Sequence, residues 1–213
     1  MDVLLLLDSD CIITQDLSTA FARARELKAL TVEDEYRFKS GTDYDINGIT
    51  LDDMAALFTE LNPGKGCDRA HYCCGEFFCA TYDFITDIFK DFDRVHEVMK
   101  QKFIAAGNKD TVKFNEEAHF FSYFYWLYDI PLDTGDDYIK RMWTTFHYNV
   151  IQKGDENYPI WHVLSGKYLY PSLLRNIDKK LNWSDDRLIR YLKRMFLYPS
   201  KIRYLLFKAG AAK

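Results

Sequence analysis

The sequence has little of what marks secreted, membrane-spanning or repetitive proteins. Its five cysteines (Cys11, Cys67, Cys73, Cys74 and Cys79) are an odd number and form no CxxC pair, which argues against a disulfide framework. No apolar run approaches the ~18 residues of a spanning helix. The short apolar run near the N-terminus is flanked by Asp2 and Asp8, which does not fit a secretory signal. We therefore expect a reducing, cytoplasmic compartment with free thiols.

Proline and glycine are also scarce, at 5 and 10 of 213 residues, and no low-complexity linker or internal repeat is visible. A chain of this length fits one large domain or two small ones. Hydrophobic residues make up 48% and charged residues 28%, which is ordinary for a folded protein. The aromatic content of 16% suits a thick core, and also a groove that stacks on sugars.

Charge is unevenly distributed along the chain. The stretch from Asp178 to Lys213 has ten Lys/Arg and three Asp/Glu, a local charge of +7, and subtraction from the totals of 28 and 32 leaves −11 before it. An acidic body argues against a nucleic-acid-binding surface, because neutralising phosphates requires clustered Lys/Arg. The tail over 184–208 mixes basic and apolar residues at helical spacing. This pattern fits an anionic membrane surface or a helix that docks on the domain.

Hydrophobic periodicity and end signals predict a series of elements. The run Val3–Leu7 predicts a strand buried on both faces within a parallel sheet. Thr50 and Asp53 form a capping box at a helix start. The remaining predicted elements are helices from Asp16 or Ser18 to Lys28, from Thr50 to Leu61, from Thr81 to Ala106 with Gly107 as the stop, from Asn115 to Tyr128, near Pro171 and from Ser184 to Leu197, and a strand from Met142 to Ile151.

Asp8 and Asp10 directly follow the first predicted strand. Ligands of open α/β sheets bind beyond the carboxyl ends of strands, and two carboxylates one residue apart can share a hard divalent cation. The alternative is a polar turn in which Asp8 caps local backbone. This pair is the starting point for a metal site.

Three further polar features interrupt apolar sequence. Glu116-Glu117 opens a predicted helix, where the helix dipole stabilises a charged carboxylate, although ordinary capping explains the same residues. Gly75-Glu76 breaks a strand-like run, which indicates close approach of a ligand or a bulge. His162 is a potential metal ligand, although a histidine beside a tryptophan is often a core residue.

The order of these motifs, DSD, CCGEFF, NEEAH and WHVLSGK, resembles that of metal-dependent glycosyltransferases of the GT-A fold, over Leu4 to about Leu174. The resemblance implies an α/β fold, a Rossmann-like mixed sheet flanked by helices. It places a GT-A-like domain at 1–177 and a basic amphipathic helical tail at 178–213. Because the DSD motif comes so early, we expect the nucleotide-binding half of that fold to be largely absent and this chain to be its acceptor-side portion.

The resemblance also implies residue roles. Asp8 and Asp10 would bind Mn²⁺ or Mg²⁺ bridging the diphosphate of a nucleotide-sugar donor, with His162 as a further metal ligand. Glu117 and Glu116 would be catalytic, and Glu117 favours a retaining outcome.

The other positions would bind donor or acceptor: Gly75, Glu76, His71, Trp161 and Lys167, with Lys167 on the diphosphate. The expected reaction moves a sugar to a glycan or lipid-linked acceptor.

Other interpretations remain open. The chain could be a catalytically silent GT-A-like fragment that binds a glycan or a protein partner. A haloacid-dehalogenase-type phosphatase also begins with a strand and paired Asp residues, but its pattern has Thr where this chain has Ile12. A zinc site could be built from Cys67, His71, Cys73, Cys74 and Cys79, at a spacing that matches no usual ligand set.

Overall fold

The computed structural model describes residues 2–33, 45–46, 49–105, 116–141, 154–163 and 182–194, with the single positions 175, 179, 198, 202, 205, 206 and 209. All structural statements below concern these residues. The predicted strand over 142–151, the predicted helix near Pro171, and Gly107, Asn115 and Lys167 lie outside them.

The described chain is a mixture of helices and strands, which confirms the α/β class. In chain order the elements are β1 (Val3–Leu7), β2 (Cys11–Ile13), α1 (Ser18–Leu27), β3 (Ala29–Leu30), β4 (Asp45–Ile46), β5 (Ile49–Thr50), α2 (Leu51–Leu61), β6 (Phe77–Thr81), α3 (Tyr82–Ala105), α4 (Glu117–Leu127), β7 (Ile139–Arg141), β8 (Ile160–His162) and α5 (Asp185–Leu192), with a 3-10 turn at Asp155–Asn157 before β8.

The chain divides into two compact units. Unit 1 comprises Met1–Leu6 and Ser18–Asp136, and unit 2 comprises Leu7–Leu17 and Asp137–Lys213. The described strands form three small sheets with the orders β1-β6-β3, β2-β8-β7 and β4-β5. The GT-A arrangement of a single mixed sheet therefore stays a prediction, while the coarser α/β class holds.

The prediction that β1 is buried on both faces is wrong. Leu4 and Leu6 are 44% and 51% exposed, and burial alternates along the strand. β1 stands at one end of the order β1-β6-β3, and alternate side chains of a strand point to opposite faces. The neighbouring strand β6 has both faces covered, since all five of its residues are buried.

Local end signals predicted the helices well. Thr50 Oγ1 accepts from Asp53 N at 3.0 Å while Asp53 Oδ2 accepts from Thr50 N at 3.3 Å, which confirms the capping box of α2. α1 and α3 end within a few residues of their predicted bounds. α4 begins at Glu117 with Glu116 as its N-cap, one residue after the predicted cap, and α5 is described only to Leu192.

The core of unit 1 is aromatic where α3 and α4 pack together. Phe92 and Phe120 meet edge to face with ring centroids 4.8 Å apart, and the rings of Phe84 and Tyr125 lie parallel at 6.1 Å. Such aromatic pairs stabilise the fold beyond the contribution of the apolar area that they bury. Among the described residues, none of the helices combines the length and apolar character that crossing a bilayer requires.

Candidate functional site

Asp8 and Asp10 lie in the tight turn that joins β1 to β2. Cys11 N donates to Asp8 O at 3.0 Å, which closes the turn, and Val163 N donates to Asp10 O at 2.9 Å. The main chain of the aspartate turn is thus anchored both to itself and to the residue that follows β8. These backbone hydrogen bonds fix the main chain from which the two carboxylates project.

His162 reaches the same place from the other end of unit 2. It is the last residue of β8, the central strand of the order β2-β8-β7, and it pairs with Cys11 in the antiparallel ladder. Because Cys11 directly follows Asp10, this register brings the imidazole to the aspartate turn. His162 Nε2 lies 3.2 Å from Asp10 Oδ1 and 3.6 Å from Asp8 Oδ2.

These three side chains form a set of ligand atoms of the size that a divalent cation requires. One ligand atom from each of Asp8, Asp10 and His162 lies within 4.8 Å of the others, and this is the one such group within the described ranges. Asp10 and His162 are each 2% exposed, whereas the Asp8 side chain is 51% exposed. One ligand is therefore open to solvent and two are enclosed.

The donor set fits a divalent metal by its chemistry. Two carboxylate oxygens and one imidazole nitrogen suit Mn²⁺ and related ions, and carboxylates suit Mg²⁺. A divalent ion held among the three side chains would lie against the enclosed Asp10 carboxylate and within reach of the His162 imidazole.

Arg141 is a residue near this cluster that sequence reasoning missed. It is the last residue of β7 and pairs with His162 in the parallel ladder between β7 and β8. Paired residues on neighbouring strands project to the same face of a sheet. The sequence offered no signal for this, because 21 positions separate the two residues and only the strand pairing joins them.

Glu116, Glu117 and Gly75 come together in unit 1. Glu116 is the N-cap of α4 but its side chain makes no capping hydrogen bond; its Oε2 accepts from Tyr72 Oη at 3.0 Å. A Cβ added at Gly75 would lie 2.6 Å from Glu117 Oε1. The absent side chain at Gly75 thus leaves room for the Glu117 carboxylate, so two motifs distant in sequence meet at one place.

The other predicted binding residues have different surroundings. Glu76 is 4% exposed and directly precedes β6. His71 Nδ1 and Glu33 Oε1 form a pair at 2.5 Å, in which the Glu33 side chain is 5% exposed and the His71 side chain 34%. Glu33 therefore fixes the imidazole orientation of His71, a partner that nothing in the sequence pattern indicated.

Trp161 is fully buried, which indicates a packing role for its ring rather than a stacking surface for ligand. The proposed zinc ligands do not converge either. Among the described residues the metal-sized group is the Asp8, Asp10 and His162 set, and all five cysteines are free thiols. Burial raises the pKa of the Cys73 and Cys79 thiols, that of Cys79 to about 11, so these thiols stay protonated and are poor metal ligands at neutral pH.

Comparisons with protein-family models, with curated proteins and with solved structures find no match for this chain. The functional argument accordingly rests on the residues and geometry of the chain itself.

Proposed function

We propose that this chain is a divalent-metal-dependent glycosyltransferase that moves a sugar from a nucleotide-diphosphate donor to a glycan or lipid-linked acceptor. The observation that carries the proposal is the convergence of Asp8, Asp10 and His162, at 3.2 and 3.6 Å from the imidazole nitrogen to the two carboxylates. The motif order supports the GT-A fold as part of the same proposal.

The metal centre would hold Mn²⁺ or Mg²⁺ through Asp8, Asp10 and His162. Cleaving a sugar–diphosphate bond develops negative charge on the leaving group, and a bound divalent ion offsets that charge. Asp10 and His162 are enclosed and supply a fixed framework, while the half-exposed Asp8 carboxylate borders the solvent from which a donor arrives.

Positive side chains of unit 2 would bind the diphosphate. Arg141 projects from the strand beside His162, and guanidinium groups recognise phosphate oxygens through paired hydrogen bonds. Lys167, which the resemblance assigns to the diphosphate, is the second candidate. The local field of unit 2 would then favour an anionic donor despite the net negative charge of the chain.

The resemblance assigns the reacting sugar to Glu117 and Glu116. Glu117 is exposed at the first turn of α4, so its carboxylate is accessible either to deprotonate an acceptor hydroxyl or to stabilise cationic character at the sugar carbon. Glu116 is the adjacent carboxylate, and its position is fixed by the hydrogen bond that it accepts from Tyr72 Oη. The proposal that the reaction retains the configuration at the sugar carbon rests on Glu117.

The partners that follow are a nucleotide-sugar, a glycan or lipid-linked acceptor, and an anionic membrane surface contacted through 184–208. Exposed apolar residues in the tail support the last of these: Tyr198, Ile202, Leu205 and Leu206 are between 45% and 63% exposed. The proposal thus places the protein in the cytoplasm, peripheral to a membrane, and excludes nucleic acid.

Calorimetric titration tests the proposal. UDP-, GDP- and CMP-sugars are each titrated with and without Mn²⁺ into the wild type, Asp10→Ala and the control Asp16→Ala, which removes an exposed carboxylate outside the cluster. We expect one donor class to bind only with Mn²⁺, and Asp10→Ala to weaken that binding by about a hundredfold.

Two results would contradict the proposal. If Asp10→Ala leaves metal-dependent donor binding unchanged, the assigned metal centre is wrong. If no nucleotide-sugar binds while isolated glycans do, the catalytically silent glycan-binding module replaces the transferase.

A further inference from the structure

A groove in unit 1 lies between α3 and α4, with a volume of about 610 Å³. Most of its lining is apolar: Phe92, Met99, Phe103, Ile104, Phe120 and Phe121. A volume of this size is that of a small-molecule site, which spans roughly 300–1,000 Å³. It is too small to accept a folded partner.

The residues at the base of the groove are buried, and its edge is exposed to solvent. Met99 and Phe120 are 4% and 9% exposed, whereas Ile104 is 58% exposed. Phe120 is held edge to face against Phe92 at 4.8 Å and against Phe124 at 4.8 Å. The apolar surface is therefore preformed, and an apolar group that covers it would remove that surface from water.

The same groove carries the acidic pair. Glu116 and Glu117 belong to its lining together with the apolar residues. Glu116 is oriented by Tyr72 Oη at 3.0 Å, and the Glu117 carboxylate lies over Gly75. Carboxylates accept hydrogen bonds and donate none when ionised, so their complement in a ligand is a hydroxyl or another donor.

The remaining polar lining groups are His96 and Lys100. Lys100 is paired with Glu97 at 3.1 Å, and the His96 ring stacks on Phe92 with centroids 5.8 Å apart. The Lys100 charge is thus partly balanced by its own helix, which leaves the acidic pair as the polar feature that selects the ligand.

We propose that this groove binds the alkyl or aryl group of a small amphiphile whose hydroxyl-bearing part lies at Glu116 and Glu117. Identification of this amphiphile as the sugar acceptor rests on the proposed function; binding of the amphiphile does not. An acceptor of this class would be a glycoside or alcohol with an apolar chain, consistent with a lipid-linked glycan.

The test uses the neutral apolar fluorophore N-phenyl-1-naphthylamine and two competitors, octyl and methyl β-glucopyranoside, without metal or nucleotide. We expect the fluorophore to bind, octyl glucoside to displace it, and methyl glucoside at the same concentration to leave it in place. Ile104→Glu should weaken binding of fluorophore and octyl glucoside about tenfold, since it puts a charge on the apolar rim.

Matched variants separate the two parts of the proposal. Tyr82→Glu changes another exposed residue of α3, 66% exposed and outside the groove lining, and should leave both affinities unchanged. Glu117→Gln should weaken octyl glucoside severalfold without affecting the fluorophore. Thermal melting checks that each variant is folded, and Ile104→Ala, with a smaller expected loss, provides a second variant at the same position.

The inference is overturned if the fluorophore does not bind, if Ile104→Glu binds it as tightly as the wild type, or if methyl glucoside competes as well as octyl glucoside. If the groove binds as expected while the donor titration fails, the amphiphile site stands and the transferase proposal falls. If a donor binds as expected while the fluorophore and octyl glucoside do not, the transferase proposal stands and the amphiphile site falls.

Discussion

Gly75 shows how a single absent side chain can support a candidate catalytic group. A Cβ at this position would lie 2.6 Å from Glu117 Oε1 and 2.9 Å from its Cγ, distances that real Cβ atoms do not tolerate. The atoms in the way belong to a flexible, exposed side chain rather than to the backbone, so the expected response is displacement of the Glu117 carboxylate.

We therefore predict that Gly75→Ala lowers turnover about tenfold or more while the free energy of unfolding changes by less than about 0.5 kcal/mol. Glycosyl transfer and urea denaturation are the two measurements. Gly64→Ala is the matched control, because an added Cβ there meets Asn62 Oδ1 at an ordinary 3.6 Å. Equal turnover in both variants would remove Glu117 from the reaction.

Gly135 illustrates the opposite case, in which the neighbours cannot move. Its N–H donates to Thr31 O at 2.7 Å. An added Cβ would lie 2.8 Å from Val32 Cγ2 and 3.0 Å from Thr31 O. Because one of these atoms is backbone and Val32 is buried, relief requires a shift of the main chain.

Gly135→Ala is accordingly expected to lower the free energy of unfolding by about 1–3 kcal/mol, the usual cost of overpacking. Urea denaturation measures this, again beside Gly64→Ala. A variant as stable as wild type would mean that the segment around Gly135 adjusts freely.

At the scale of elements, burial keeps titratable groups neutral on β6, on α4 and in the segment that precedes β6. Cys79 in the middle of β6 is fully buried, and burial raises its thiol pKa from the ordinary 9.0 to about 11. Burial also raises the pKa of Cys73 and of Tyr125 well above their usual ranges. The folded state thus retains protons that the unfolded chain releases in alkaline solution.

The contribution of these groups to stability should consequently be fully present below about pH 9 and be lost as pH rises from about 9 towards 11, where the unfolded chain is deprotonated and the folded one is not. Melting temperatures measured between pH 7 and 11 check this. Cys79→Ala should flatten the decline. Tyr125→Phe should do so as well, since the Tyr125 hydroxyl has no hydrogen-bond partner within the described residues. Unchanged slopes in both variants would contradict the assignment.

At the scale of the whole molecule, the separation of charge is the dominant feature. The last 36 residues carry +7 and the preceding chain −11. Each Lys or Arg near an anionic bilayer contributes about 1 kcal/mol, an attraction that falls off within a Debye length. Exposed Ile202 and Leu205, 58% and 63% accessible, add an apolar contribution to the same region.

We predict that the protein co-sediments with phosphatidylserine-containing vesicles at low salt, and less at high salt, while neutral phosphatidylcholine vesicles leave it in solution. The double variant Lys201→Glu/Arg203→Glu should lose this binding. Arg23→Glu/Lys90→Glu, the same charge change on exposed residues outside the tail, should lose much less. Equal binding to neutral vesicles would contradict a charge-led contact.

The sequence predicts a structural feature of this protein well when the residues that determine the feature lie close together in the chain. The capping box at Thr50 and Asp53, and the bounds of α3, depend on residues a few positions apart, and the structure agrees with both predictions. The prediction for β1 failed because an apolar run does not reveal whether its strand is central or at the end of a sheet. That depends on which strands pair, and β6 took the central position.

The candidate site divides in the same way. The sequence by itself determined the ligand types, because the chemistry of Asp8, Asp10, His162 and Glu117 is a property of the residues. Only the tertiary structure decided which of them meet: the β2–β8 register brings His162 to Asp10, and the β7–β8 register brings Arg141 beside it. Convergence of groups some 150 positions apart in the chain results from strand pairing and packing, which no local pattern encodes.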